Sequence, residues 1–255
     1  MIDKLHVKET FKNYVNDYNP SDPKIALKIA HTYRVAELCN EIAESLKMTE
    51  EQCELAWLLG MLHDIGRFEQ VRIYNTFVDG DSVDHAEFGA DLLFGKKHMI
   101  LRFIDTRNYD ELIEKAIRNH NKLHIASEIE GVELTFCQIL RDADKIDILR
   151  VNIDTPMEDI YNTTRKILLT SSVSPEVMEQ VRVRQCVTRD ARKTPVDHLI
   201  GHMALNFELV FPRSKKIVLE QGYLDKLFQF PTENPETKKY IEETKVLVTE
   251  FLSNE

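Results

Sequence analysis

Apolar residues recur at helical spacing along almost the whole chain. In one example, Leu27, Val35, Leu38 and Ile42 lie on one face of a helix. No convincing alternation of apolar and polar residues, and no Asn-Gly turn, interrupts this pattern. The pattern therefore predicts an all-α fold, with helices at about 4–17, 23–47, 50–65, 85–95, 109–121, 132–151, 156–169, 175–186, 195–210, 213–228 and 235–252.

The sequence contains no internal repeat and no segment with the composition of a linker. We therefore expect one all-helical domain over residues 1–255, made of a metal-binding core at about 22–152 and a C-terminal helical extension at 153–255. The longest gap between predicted helices is 67–83. It is predicted to be a loop that lies over the site and contacts the substrate.

The adjacent pair His63-Asp64 follows the strongly apolar run 55–62. A carboxylate at the end of such a run would be costly to bury without a cation beside it. Imidazole and carboxylate together are ligands for divalent transition metals. The pair therefore indicates a metal site.

Further side chains of the same types lie on other predicted helices. His31 continues the apolar stripe of its helix, and His120 and Asp144 continue those of theirs, so all three are predicted to face inward. His85 falls in the first turn of its helix, next to Asp84. A single inward histidine is commonly a hydrogen-bonded core residue, and a single inward aspartate commonly forms a salt bridge. The coincidence of all of them on successive helices favours a shared metal centre of one or two ions.

Composition limits the possible partners. The formal net charge of −10 argues against binding to duplex nucleic acid or to a membrane surface, because both call for a basic face. The four cysteines are widely spaced and form no C-x-x-C pair, which is typical of reduced core residues in a cytoplasmic protein. With 43% hydrophobic residues the chain can fill its own core, and its oligomeric state is left open.

The ordered residues resemble the H…HD…D signature of the HD-domain superfamily of metal-dependent phosphohydrolases. The resemblance covers roughly residues 25–150. It rests on five local sequences, which are 31–35 (HTYRV), 62–67 (LHDIGR), 85–93 (HAEFGADLL), 118–120 (RNH) and 142–147 (DADKID).

The resemblance implies an HD-domain helical bundle in which His31, His63, Asp64 and Asp144 bind one metal ion. It also implies that Asp64 bridges to a second ion bound by His85 and His120. We therefore expect two divalent ions rather than one, drawn from iron, manganese, zinc, nickel, cobalt and magnesium.

The chain also departs from its binuclear relatives. Many binuclear phosphodiesterases of the superfamily carry a second histidine where this chain has Asn121. Lysine is common where it has Arg67, and no Gly-Tyr-Pro motif follows.

The predicted function is hydrolysis, by metal-activated water, of a phosphomonoester or phosphodiester of a small molecule, with a nucleotide as the expected substrate class. Asp64, Arg67 and Lys145 are the predicted catalytic residues, the last two as cations for substrate phosphate. Two alternatives remain open. The single histidines at 85 and 120 also resemble those of HD-type di-iron oxygenases, and the same ligand set could serve a non-catalytic nucleotide-sensing module.

Overall fold

The structure is a computed structural model that describes residues 1–96 and 98–254. It is 71% helical, and no strand occurs in these residues. The predicted all-α fold is thus confirmed.

The chain divides into two compact units, Met1–Asp144 and Lys145–Glu255. The helices that begin in the first unit are α1 (Lys4–Val15), α2 (Pro23–Ser45), α3 (Glu50–Leu62), α4 (Ile65–Tyr74), α5 (His85–Phe94), α6 (Asp110–Asn119) and α7 (Gly131–Asp154). Short 3-10 helices lie at Asp79–Asp81 and Met99–Arg102. Residues of α7 from Lys145 onward belong to the second unit.

The second unit continues with a series of shorter helices that pack on one another. They are α8 (Met157–Ile160), α9 (Arg165–Thr170), α10 (Pro175–Arg182), α11 (Pro195–Ala204), α12 (Pro212–Gln221), α13 (Tyr223–Phe228) and α14 (Pro235–Ser253). Two 3-10 helices, Arg189–Ala191 and Leu205–Glu208, also belong to this unit. Helices α10, α11, α12 and α13 all contact the long α14.

The first unit is built around the contact between α2 and α3, its most extensive helix pair. Helix α3 begins with a capping box, in which the Thr49 and Gln52 side chains bond each other's backbone N–H groups. Its last eight residues, 55–62, are all buried, so this part of the helix is surrounded by other parts of the protein. Gly60 makes the close crossing possible, because a Cβ there would lie 2.5 Å from the Cα of Ala36 on α2.

The prediction of a loop over 67–83 was wrong in its first half. Residues 65–74 form helix α4, with Phe68 and Val71 buried on its inner face, and only the segment after Asn75 is irregular. The predicted helix 50–65 ends earlier in the structure, at Leu62, because Asp64 leaves the helical conformation between α3 and α4. The helix is short and its inner face includes the polar Gln70, so its apolar period is easily missed.

Two other predicted helices are also divided in the structure. Residues 213–228 form α12 and α13 because Gly222 adopts a left-handed conformation with φ of +67° between them. Residues 156–169 form α8 and α9, with Asn162 at φ of +46° in the intervening turn. Among the described residues, no helix combines the length and apolarity needed to cross a bilayer.

The close crossing at Gly60 gives a stability prediction. Gly60→Ala should lower the free energy of unfolding by about 1–3 kcal/mol, because the added methyl group meets backbone atoms of α2 that cannot rotate away. Urea unfolding of metal-free protein measures this. Gly80→Ala is the matched control, because its Cβ would meet nothing within 4 Å. Equal stability losses in the two variants would show that the crossing tolerates a side chain.

Candidate metal centre

Three consecutive helices of the first unit bring the first three predicted ligands together. His31 lies on the inner face of α2, and His63 directly follows the last residue of α3. Asp64 occupies the break before α4, with φ of −101° and ψ of 15°. This break turns the Asp64 side chain back toward the two histidines. All three side chains are almost wholly buried.

The first cluster comprises His31, His63, Asp64 and Asp144. The Nε2 atoms of His31 and His63 lie 3.3 Å apart, and each lies 3.5–3.6 Å from Oδ2 of Asp64. Asp144, on α7, places Oδ1 at 3.1 Å from Nε2 of His31 and 3.8 Å from Nε2 of His63. Four donor atoms from three segments of the chain, which are α2, residues 63–64 and α7, thus lie close to one another.

The second cluster shares Asp64 with the first. His85 begins α5 and His120 follows α6, and their Nε2 atoms lie 3.0 Å apart. The other carboxylate oxygen of Asp64, Oδ1, lies 3.5 Å from Nε2 of His85 and 4.0 Å from Nε2 of His120. Asp64 therefore presents one oxygen to each pair of histidines.

These separations match the spacing of atoms around a metal ion. Ligands that sit about 2.0–2.2 Å from a zinc-like ion lie roughly 3.0–3.5 Å from one another. The first cluster spans 3.1–3.8 Å and the second 3.0–4.0 Å, so a small contraction would close each around an ion. Among the described residues, three groups could hold a metal, namely His31–His63–Asp64, Asp64–His85–His120 and the less buried Asp79–Asp84–His85. The first two correspond to the two clusters, with Asp144 beside the histidines of the first.

Contacts outside the clusters orient three of the imidazole rings. Nδ1 of His63 donates to the carbonyl oxygen of Gly60, and Nδ1 of His120 donates to that of Ile117, each at 2.7 Å. Because a carbonyl oxygen can only accept, Nδ1 carries the proton and Nε2 presents its lone pair to the cluster. The His85 ring is oriented by a carboxylate instead of a carbonyl group, because Oδ2 of Asp79 lies 2.8 Å from its Nδ1.

The environment keeps Asp64 ionised although it is buried. Burial by itself would raise the pKa of its carboxyl group, but the positive charges of Lys28 and Arg67 and the nearby imidazoles hold that pKa well below its usual range. In Asp144 burial again opposes ionisation, and the hydrogen bond and charge of His31 outweigh it, so that its pKa is also lowered. Both carboxylates are therefore negatively charged at neutral pH.

Burial has the opposite effect on the histidines. Loss of water, followed by repulsion from the neighbouring imidazoles of His85 and His63, lowers the pKa of His120 to about 3. The pKa values of His63 and His85 are lowered as well, in each case mainly by burial. The rings of His63, His85 and His120 are consequently neutral at pH 7, the protonation state in which imidazole binds a metal ion.

Of the two predicted phosphate-binding cations, Arg67 lies at the centre and Lys145 belongs to the second unit. The Nη1 group of Arg67 donates to Phe77 O and to Asp79 Oδ1, each at 2.7 Å, and thereby fastens the segment after α4. Its Nε atom lies 3.6 Å from Asp64 Oδ1. Lys145 pairs with Glu208, with 3.0 Å between Nζ and Oε2.

Asn121 does not point its amide at a metal cluster. Its Nδ2 donates to Asp84 Oδ1 at 2.9 Å, and Lys122 Nζ lies 2.6 Å from the other oxygen of Asp84. Asp84 also caps the first turn of α5. This contact ties the residue after His120 to the residue before His85, and so joins the two ends of the second cluster.

Sequence reasoning missed two residues of the centre. Lys28 places Nζ at 2.6 Å from Asp64 Oδ2, and Asp79 holds both His85 and Arg67. Lys28 precedes His31 by one helical turn, so helical spacing could have placed it on the same face. Asp79 begins a 3-10 helix of three residues, which is too short for periodicity to give a signal.

Comparison with known proteins identifies the domain that carries these ligands. Residues 29–149 match the model of the HD domain family. The match spans all six predicted ligands, from His31 to Asp144. No curated protein and no solved structure matches the chain significantly.

The lowered pKa of His120 gives a pH prediction for the metal-free protein. In the unfolded chain His120 is protonated below about pH 6.5, whereas in the folded protein it is protonated only below about pH 3. The free energy of unfolding must therefore fall as the pH falls below about 6.5. For this one residue, the expected loss in the free energy of unfolding between pH 7.0 and 5.5 is about 1 kcal/mol. Urea unfolding in the presence of a chelator at the two pH values measures it.

His120→Gln should reduce that pH dependence by about the same amount, because glutamine does not titrate. His124→Gln is the control, since His124 is exposed. If the His120 variant kept the full pH dependence of the original protein, the acid sensitivity would have to arise elsewhere.

Proposed function

We propose that the chain, whose residues 29–149 match the HD domain family, is a metal-dependent phosphohydrolase with a binuclear centre. The observation that carries this proposal is the position of Asp64, whose two carboxylate oxygens face two different pairs of histidines. A carboxylate in that position can bridge two ions. A centre with one ion would leave the second pair of buried imidazoles without a function.

We propose two ligand sets that share Asp64. His31, His63, Asp64 and Asp144 would hold one ion, and Asp64, His85 and His120 the other. The second set supplies fewer protein donors, so more of its coordination positions remain open to water or substrate. Bound there, two divalent ions supply Lewis acidity and an activated water for attack at phosphorus.

The residues of the chain prepare the centre for this chemistry before any ion arrives. The carboxylates of Asp64 and Asp144 are ionised, and the imidazoles of His63 and His120 are neutral with Nε2 directed inward. Rotation of the rings is restricted by Gly60 O, Ile117 O and Asp79. Loading the metal therefore requires little reorganisation of the protein.

The charge distribution supports a small phosphorylated substrate, and we propose a nucleotide as its class. The chain carries a formal net charge of −10, which opposes binding of duplex nucleic acid or of an anionic membrane surface. At the centre, by contrast, Lys28 and Arg67 accompany two divalent ions, so the local field would attract a compact phosphate group. We propose that the protein acts on this substrate in the cytoplasm.

Metal stoichiometry tests the binuclear centre directly. Metal-free protein titrated with Mn²⁺ should bind two equivalents, which calorimetry and elemental analysis can count. His85→Ala should bind one equivalent, because it removes a donor from one cluster and leaves the other intact. His124→Ala, an exposed histidine outside both clusters, should still bind two. A single equivalent in the unaltered protein would rule out the binuclear proposal.

Phosphoester hydrolysis by the metal-replete protein tests the reaction. Asp64→Asn should lower kcat by at least about 100-fold, because the amide cannot bridge two cations as the carboxylate does. The measurement is release of phosphate or nucleotide from a panel of mononucleotides and cyclic nucleotides. Asp81→Asn is the matched control, because Asp81 is an exposed aspartate of the segment after α4.

The same preparations separate the two alternative functions. Dioxygen uptake by iron-loaded protein, without phosphate release, would indicate an oxygenase. Metal-dependent nucleotide binding without turnover would indicate a sensing module. Either outcome would overturn the hydrolase proposal.

A further inference from the structure

Lys28 is a partly buried cation in direct contact with the proposed metal centre. Its side chain is 18% exposed, and Nζ lies 2.6 Å from Oδ2 of Asp64. That oxygen is the one that faces His31 and His63. The ammonium group therefore neutralises the carboxylate oxygen that the first metal ion would bind.

The ammonium group and a divalent ion would compete for Asp64. An ion about 2.1 Å from Oδ2 would lie only about 4 Å from an ammonium group that stayed in place. In a buried site, where water screens charge weakly, two cations at that distance repel each other strongly. The flexible four-carbon stem of lysine allows the ammonium group to withdraw while its backbone stays on α2.

The surroundings limit where the displaced ammonium group can go. Phe77 lies close to Lys28, with its ring centroid 5.6 Å from Nζ. Arg67 approaches the same ring, at 5.7 Å from its centroid to the guanidinium carbon. Arg67 also fixes Phe77 through a hydrogen bond to its carbonyl oxygen. A cation that leaves Asp64 thus stays within reach of an anchored aromatic ring beside the centre.

We propose that Lys28 pairs with Asp64 in the metal-free protein and becomes a phosphate-binding residue once the first metal ion displaces its ammonium group from Asp64. In the metal-free protein Lys28 compensates the buried carboxylate. Once the ion takes over that role, the freed ammonium group binds a phosphate oxygen of the incoming ligand between the centre and Phe77. The metal-free protein then has little affinity for phosphate, and the loaded protein has a cation ready for it. The second half of this inference rests on the proposed function.

Metal binding tests the displacement. Titration of metal-free protein with Mn²⁺ alone should show that Lys28→Met binds its first ion about tenfold more tightly, because no internal cation has to be removed. Lys28→Arg, which keeps the charge, should bind with close to the original affinity. Lys24→Met is the matched control, because Lys24 is exposed one turn earlier on the same helix.

First-ion affinity in Lys28→Met that is equal to or weaker than the original would overturn the displacement. Lys28→Gln provides a second neutral variant, and urea unfolding of each variant checks that it is folded. If Lys28→Met fails to fold, the comparison is made with Lys28→Gln and the same expected result.

Inorganic phosphate tests the second role without requiring turnover. Mn²⁺-loaded Lys28→Met should bind phosphate about tenfold more weakly than the original protein, with Lys28→Arg recovering most of the affinity. Unchanged phosphate affinity in Lys28→Met would overturn this role. A loaded protein that binds phosphate through Lys28 but hydrolyses no phosphoester would retain the inference and contradict the proposed hydrolase.

Discussion

The centre depends on one buried carboxylate, that of Asp64. An ionised carboxylate is very costly to bury alone. Its surroundings must supply either positive side chains or further ligands that bind a metal cation together with it. Around Asp64 the protein supplies both, with Lys28 and Arg67 as cations and the imidazoles of four histidines as donors. The arrangement of α2 to α6 can be understood as the means of bringing these groups to the two sides of one side chain.

Close helix approach is what makes this convergence possible, and two glycines permit it. Gly60 lets α3 lie against α2, which brings His63 to His31. Gly66 does the same between α4 and α5, since a Cβ there would lie 2.5 Å from the carbonyl oxygen of His85. The carbonyl oxygen of Gly60 also orients the His63 ring, so the residue that allows the packing also sets the chemistry of the ligand.

The irregular segment after α4 has a structural role as well as its position beside the centre. Arg67 and Gln70 hold Asp79 from one side, and Asp79 in turn orients His85. Arg67 therefore influences the second cluster through Asp79 and approaches Asp64 directly. Arg67, which the sequence predicts to contact substrate, is therefore also one of the residues that hold the metal ligands Asp64 and His85 in place.

The sequence by itself determined the helical class and the identity of the six candidate ligands. Amphipathic periodicity is a local property, and it indicates which side chains of each helix face inward, as it did for His31, His120 and Asp144. Tertiary structure decided which donors share an ion, because the separate clustering of His31 with His63 and of His85 with His120 depends on helix crossings that no local pattern encodes. It also decided the roles of Lys28 and Asn121, whose partners lie far away in the sequence, and that of Asp79, which comes from a segment without helical periodicity. Local spacing determines the direction of a side chain relative to its own helix, whereas only packing determines what that side chain meets.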